Sequence, residues 1–186
     1  HNVEAGVKYD ADSTSFSAIV YRNKLSDLIT YVDGPGTCAN GSGDYAGCYG
    51  NTEKAQYSGL TLAGAQRVGM VAFSGSLDLQ NPKDSISGKQ LARRAKQAAK
   101  LAISTGVAGW NLGAETEYVG KRFNDARNSE RLDGYTLVNL SASTLVTKDW
   151  TLLGRVDNIA DTDYETAKGY ATAGRTFYVG LKWAPN

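Results

Sequence analysis

The chain lacks any apolar run near the roughly 18 residues that a membrane-crossing helix requires, and its 186 residues include only 3 prolines, 2 cysteines and a single histidine, His1. The first absence excludes helical membrane spans. The scarcity of histidine and cysteine removes the usual metal centres, and with His1 alone at the terminus no Ser-His-Asp triad can be assembled. Charge of one sign is missing too: 20 basic against 19 acidic side chains give a formal net charge of +1. Nucleic-acid binding would want a concentrated basic excess, so "RRAKQAAK", without interleaved aromatics, does not read as a nucleic-acid arm. "DTDYE" (Asp161, Asp163, Glu165) lacks the glycine and glutamate spacing of a calcium loop and reads as turn chemistry. Glu115 and Glu117 share a strand face and need no hydrolytic role. Neither an enzyme, a resident cofactor nor a metal site is expected.

What is present in quantity is glycine, 21 residues, and tyrosine, 11 residues, together with strict alternation. Phe177, Val179, Leu181 and Trp183 alternate with Thr176, Tyr178, Gly180 and Lys182, which as a strand gives one apolar and one polar face. Val3 to Tyr9, Phe16 to Val20, Leu60 to Ala63, Val71 to Asp78, Trp110 to Tyr118, Val138 to Ser143 and Trp150 to Asp157 repeat the pattern. The segment Leu91 to Thr105 is rich in helix formers and has apolar residues near helical spacing, so local propensity alone predicts a helix there. Counted as a strand, it brings the total to nine. Short turns ("DADS", "AGAQR", "GVAG", "VTKD") alternate with long loops at 33–53, 79–92, 120–133 and 159–174. Short connections at one rim and long ones at the other are the layout of an outer-membrane barrel, whose apolar face meets lipid and whose polar face meets a wet lumen. A soluble sheet with one solvated face, such as a small barrel binding an apolar ligand, would share the alternation.

Cys38 and Cys48 lie in "DGPGTCANGSGDYAGCYGN", a stretch full of turn formers. They predict a disulfide closing a surface loop, and with it an oxidising compartment. No signal peptide is visible, which suggests that one has been removed or that the chain starts partway through a longer protein.

At "VDNIADTDYETAKGYATAGRTFYVGLKW" the chain resembles the C-terminus of TonB-dependent outer-membrane receptors, in the "VDNIAD" pattern, the "DYET" loop and a last alternating strand ending in an aromatic. "HNVEAGVKY" and "VYRNKLSDLITY" are similar to earlier segments of these receptors, so the resemblance covers essentially the whole chain; "LARRAKQ" with "GYATAGR" looks most like the cobalamin (vitamin B12) receptor branch. The resemblance implies an all-β, antiparallel up-and-down meander of about nine strands, part of a barrel of about 22 strands around an N-terminal plug. It implies that residues 1–186 form one C-terminal barrel segment without the plug, in the bacterial outer membrane, from a transporter importing a cobalamin-like or siderophore-type ligand with TonB as partner. Alone, such a segment is not transport-competent, and its two raw edges predict self-association. It also overrules the helical propensity of Leu91 to Thr105 in favour of a strand. The first Arg of "RRAKQ" and the Tyr of "GYxTAGR" approach the ligand in cobalamin receptors, which carries over to Arg93 and Tyr170 as ligand-binding residues. The plainer reading makes Arg93, Arg94 and Lys96 a solvated basic rim and Tyr170 a loop aromatic.

Overall fold

A computed structural model describes residues 1–32 and 48–185. Every regular element among them is a strand: β1 (Asn2–Ala11), β2 (Thr14–Val32), β3 (Cys48–Val68), β4 (Val71–Gln80), β5 (Lys83–Asp84), β6 (Gln97–Val107), β7 (Trp110–Val119), β8 (Arg122–Phe123), β9 (Arg131–Leu132), β10 (Tyr135–Thr147), β11 (Trp150–Asp157) and β12 (Thr176–Trp183). Nine of them form one meander in the order β1-β2-β3-β4-β6-β7-β10-β11-β12, with β5 paired to β3 and with β8–β9 as a separate small hairpin. Every pairing is antiparallel, and β1 and β12 are the two edges of an open sheet. The nine strands expected from alternation are therefore the nine of the main path. The three two-residue strands lie inside stretches read as loops.

Register decides which face each side chain takes. Along one row, Tyr9 pairs with Phe16, Phe16 with Gly64, Gly64 with Gly75, Gly75 with Leu101, Leu101 with Thr116 and Thr116 with Val138. Two residues along, Phe73, Ile103, Ala114, Leu140, Val156 and Phe177 line up in the same way. Side chains directly opposite one another in an antiparallel ladder share a face, so the apolar residues of all nine strands make one continuous surface. That surface is uncovered by the rest of the chain: Phe177 is 74%, Trp183 62% and Trp110 42% exposed. A small closed fold around an apolar ligand would hide these residues in its centre, so the enclosed alternative is not what forms. Trp110 and Trp150 immediately follow turns, and the Trp150 and Trp183 rings lie 6.4 Å apart at one rim, where an amphipathic indole suits the membrane–water boundary.

The opposite face is polar and cross-linked. Lys100 reaches Glu117 at 3.4 Å across the β6–β7 pair, Thr61 donates its hydroxyl to Asp78 at 2.7 Å, and Arg155 pairs with Asp157 at 3.0 Å while lying over the Tyr178 ring. Glu115 and Glu117 are on this face with them, as their alternation with Trp110, Leu112 and Tyr118 predicts.

Three boundaries differ from the sequence reading, the first being the loop expected at 33–53, which is already strand from Cys48 as β3 pairs with β2 up to Val32↔Cys48. The strand expected over Leu91 to Thr105 begins only at Gln97 and continues to Val107. Residues 91–96 instead fold back: Leu91 donates to Pro82, Arg94 donates to Leu91, Arg93 takes a left-handed backbone (φ 58°), and Leu91 and Ala95 are buried beneath the loop. Their apolar spacing thus serves a loop core, neither helix nor strand. The turn expected at "AGAQR" lies further on, because β3 pairs with β4 as far as Val68↔Val71 and the reversal is made by Gly69–Met70, with Gly69 at φ 59°. At Ala108–Gly109 both residues have positive φ, 49° and 80°, the twist that suits a two-residue hairpin. The Lys148–Asp149 turn has no such residue, and the register shift between Leu145 and Thr147 absorbs the mismatch as a bulge. The expected Cys38–Cys48 disulfide falls outside the described residues: Cys38 lies in 33–47, and Cys48 is placed only as the first residue of β3.

Candidate functional site

Among the described residues the sheet's loop rim carries three connections, 81–96, 120–134 and 158–175, and they are tied together by side chains rather than by a shared sheet. Gln90 and Asn128 form a reciprocal pair, Gln90 N–H donating to Asn128 Oδ1 at 2.9 Å and Asn128 Nδ2 donating to the Gln90 carbonyl at 2.8 Å. This docks the first loop on the second. Arg122, only 5% exposed, donates from its guanidinium to the Glu165 carbonyl at 2.5 Å and the Asp133 carbonyl at 3.5 Å, with its charge over the Tyr135 ring. The Tyr135 ring lies 4.5 Å from that of Tyr164, so the second loop is bound to the third through an aromatic and cationic stack.

The third loop is internally built by its polar residues. Asn158, almost fully buried with φ 51°, takes the Thr162 N–H and donates to the Thr162 carbonyl. Asp161 accepts the Arg175 N–H at 2.8 Å, so this residue of "DTDYE" closes the loop across 14 positions rather than a local turn. Thr172 donates its hydroxyl to the Tyr164 carbonyl, and Glu165 accepts the Gly169 N–H at 2.9 Å. That backbone donor, with Lys168 beside it, holds the Glu165 carboxyl below the usual carboxylate range. In the second loop Asp125 overcomes a small burial penalty by accepting the N–H groups of Glu130 and Ser129, and its pKa is likewise lowered.

Arg93 and Tyr170 both come to this rim and both are exposed. Arg93 is pinned through its backbone N–H to the Phe123 carbonyl and through Nε to Asn124 Oδ1 at 3.0 Å, which leaves its terminal guanidinium nitrogens turned to other uses. Tyr170 caps the turn begun at Glu165, its N–H donating to the Ala167 carbonyl. It lines a polar cavity of about 430 Å³ with Arg131, Asp133, Tyr164, Glu165, Lys168 and Thr172. Arg93 stands outside that cavity. Asn124 joins Arg93 to the turn that precedes Tyr170, its Oδ1 also accepting the Lys168 N–H at 3.1 Å. Sequence reasoning named the two exposed residues and missed Arg122 and Asn124; "RFNDARNSE" reads only as a polar loop, since partners up to 44 positions away leave no local pattern.

A meander with lipid-type outside, polar inside, short turns at one rim and built loops at the other matches a known family over residues 1–159, described as "TonB dependent receptor-like, beta-barrel". The chain belongs to the TonB-dependent receptors. Like them it is a β-barrel protein of the bacterial outer membrane. It is 32% identical over 177 residues to the vitamin B12 transporter BtuB of Photobacterium profundum, a match covering 95% of this chain and 28% of that protein. Among solved structures, the copper transporter OprC superposes with a TM-score of 0.79 at 19% identity, over 98% of this chain and 31% of that one. The ferric enterobactin receptor PfeA of Pseudomonas aeruginosa gives 0.76 at 21% identity, over 98% and 30%. At those identities the two structures speak for the fold alone. This TonB-dependent receptor chain spans under a third of the length of the relatives it matches, and those relatives are named as transporters and receptors rather than enzymes.

Proposed function

We propose that the chain is part of the barrel wall of a receptor that binds a cobalamin-like metal chelate at its loop rim and imports it when TonB acts on a plug inside the barrel. The observation that carries this reading is the 32% identity, across 95% of the chain, to a protein named as a vitamin B12 transporter. The free edges β1 and β12 fit a segment continued on both sides by further wall strands, with the plug held against the polar face. Without those neighbours the same edges lead the segment to self-associate. The ligand contacts are Arg93 and Tyr170: a guanidinium with free N–H donors suits amide and phosphate oxygens, and an exposed phenol both packs and hydrogen-bonds.

The test is equilibrium binding of cyanocobalamin to the receptor that carries this wall, in detergent. Saturable nanomolar binding is expected, weakened about tenfold by Arg93→Ala and by Tyr170→Ala, about 1.4 kcal/mol each. Absence of cyanocobalamin binding, with tight binding of a ferric siderophore instead, would move the ligand to the siderophore class and end the cobalamin reading.

A further inference from the structure

Among the described residues, one side chain touches the three loops 81–96, 120–134 and 158–175. Asn124 follows β8 in the second loop; its Oδ1 accepts Arg93 Nε from the first loop at 3.0 Å and the Lys168 N–H from the third at 3.1 Å. Its Nδ2 donates to Glu130 Oε2 at 2.8 Å, and its backbone N–H donates to the Glu130 carbonyl at 2.9 Å. The amide is thus oriented by its own loop and offers one oxygen, with its two lone pairs, to two others. Each contact bears on a candidate ligand group. Arg93 has a left-handed backbone, a conformation that a residue with a Cβ keeps only when surroundings impose it. Lys168 lies two residues before Tyr170, in a turn whose next residue, Gly169, also has positive φ, 76°.

We infer that Asn124 is a positioning residue for the ligand face: its single carboxamide oxygen fixes Arg93 and Tyr170 relative to one another before any ligand arrives. A preset pair loses less conformational freedom on binding than two independent loops would. The identity of the ligand rests on the reading above; the fixing of the pair does not.

The experiment is amide hydrogen exchange on the ligand-free receptor, followed in the peptides containing Arg93 and Lys168, for Asn124→Ala and Asn124→Asp. The alanine variant loses the shared acceptor: exchange should rise about tenfold in the Lys168 peptide, whose amide bonds it directly, the size expected for a lost hydrogen bond, and should also rise in the Arg93 peptide as the loop released at Nε loosens, with β10 and β11 unchanged. Aspartate keeps an oxygen for both donors but loses the donor to Glu130 and places two carboxylates together. It should therefore restore slow exchange in both peptides while loosening only 125–130, and adding Glu130→Gln should remove that loosening. A residue that merely stabilised its own loop through Glu130 would behave differently in the single variant, with Asn124→Asp raising exchange in both peptides as much as alanine and recovering there only when Glu130→Gln is added. That result, or unchanged exchange in Asn124→Ala, overturns the inference.

A second arm uses cyanocobalamin. Asn124→Ala should weaken its binding about as much as Arg93→Ala, and the double variant should fall little further, since contacting residues are not additive. Wild-type affinity in Asn124→Ala, in a receptor that Arg93→Ala weakens, also overturns the inference. If the receptor ignores cyanocobalamin, only the cobalamin reading fails, and exchange still decides the role of Asn124.

Discussion

The two rims of this sheet are held by different kinds of contact. At the turn rim each reversal is settled within a few residues: Gly69–Met70 and Ala108–Gly109 close their hairpins with positive φ, and Lys148–Asp149 does so with a neighbouring bulge. At the loop rim the order comes from side chains bridging residues 31 to 44 positions apart, Arg93 to Asn124, Gln90 to Asn128, Arg122 to Glu165 and Lys168 to Asn124. A rim of local turns is robust and chemically plain. A rim of distant polar contacts can present a designed surface, but any one contact can undo the relation between loops.

The sharpest way to break that contrast is Arg122→Met. Methionine keeps most of the buried volume but removes the donors to the Glu165 and Asp133 carbonyls and the charge over Tyr135. Leaving part-buried acceptors unpaired costs about 1–3 kcal/mol. Limited proteolysis should therefore cut within 120–134 and 158–175 at least about fivefold faster, as judged from about 1.4 kcal/mol per factor of ten. The strands and the Trp rim should not change. Equal protection of both loops in the variant would mean that the third loop is held by its own Asn158 and Asp161 contacts alone.

The same division explains what could be read from the sequence. Alternation at Thr176 to Trp183 or Trp110 to Tyr118 reports a sheet with unlike faces, and register carries it unbroken across nine strands. Periodicity could not separate lipid from a dry core; membership of the TonB-dependent receptors does, and the uncovered Phe177 and Trp183 accord with it. Arg93 and Tyr170 are named only through resemblance. Leu91 to Lys96 misled because an apolar loop core and a helix share composition, and only the contacts to Pro82 and Phe123 distinguish them. The turn expected at "AGAQR" is strand instead, with Gly64 facing Gly75 across the ladder. Arg122 and Asn124 leave no trace at all in local pattern.

At the turn rim the corresponding break is Gly109→Val. Nothing lies within 4 Å of a Cβ built there, so the variant meets no clash, only the φ of 80° that a β-branched residue resists. The strain is about 1–2 kcal/mol, and it should be confined to the β6–β7 hairpin. Hydrogen exchange should quicken near Val107 and Trp110 and nowhere on the loop rim. Spread of the effect to the loops would show that the two rims are mechanically coupled through the strands, contrary to the contrast drawn above.

The gentlest probe is acid. Asp125 and Glu165 both have folded pKa values below their ordinary values of 3.8 and 4.5, Asp125 against a burial penalty through the N–H groups of Glu130 and Ser129, Glu165 chiefly through the Gly169 N–H. A depressed carboxyl favours the folded loop at pH above its ordinary value, and that contribution fades as the pH falls through the folded value. The 120–134 and 158–175 loops should thus loosen on acidification while the hairpins of the turn rim, closed by backbone geometry, do not respond. Because both carboxyls are largely solvated, the loosening should be small, fully reversible and reduced by salt. Asp125→Asn, which keeps an acceptor oxygen for the N–H groups but cannot titrate, should weaken the second loop at neutral pH and flatten its acid response. An acid response in that loop as steep as the wild type would place the titrating group elsewhere.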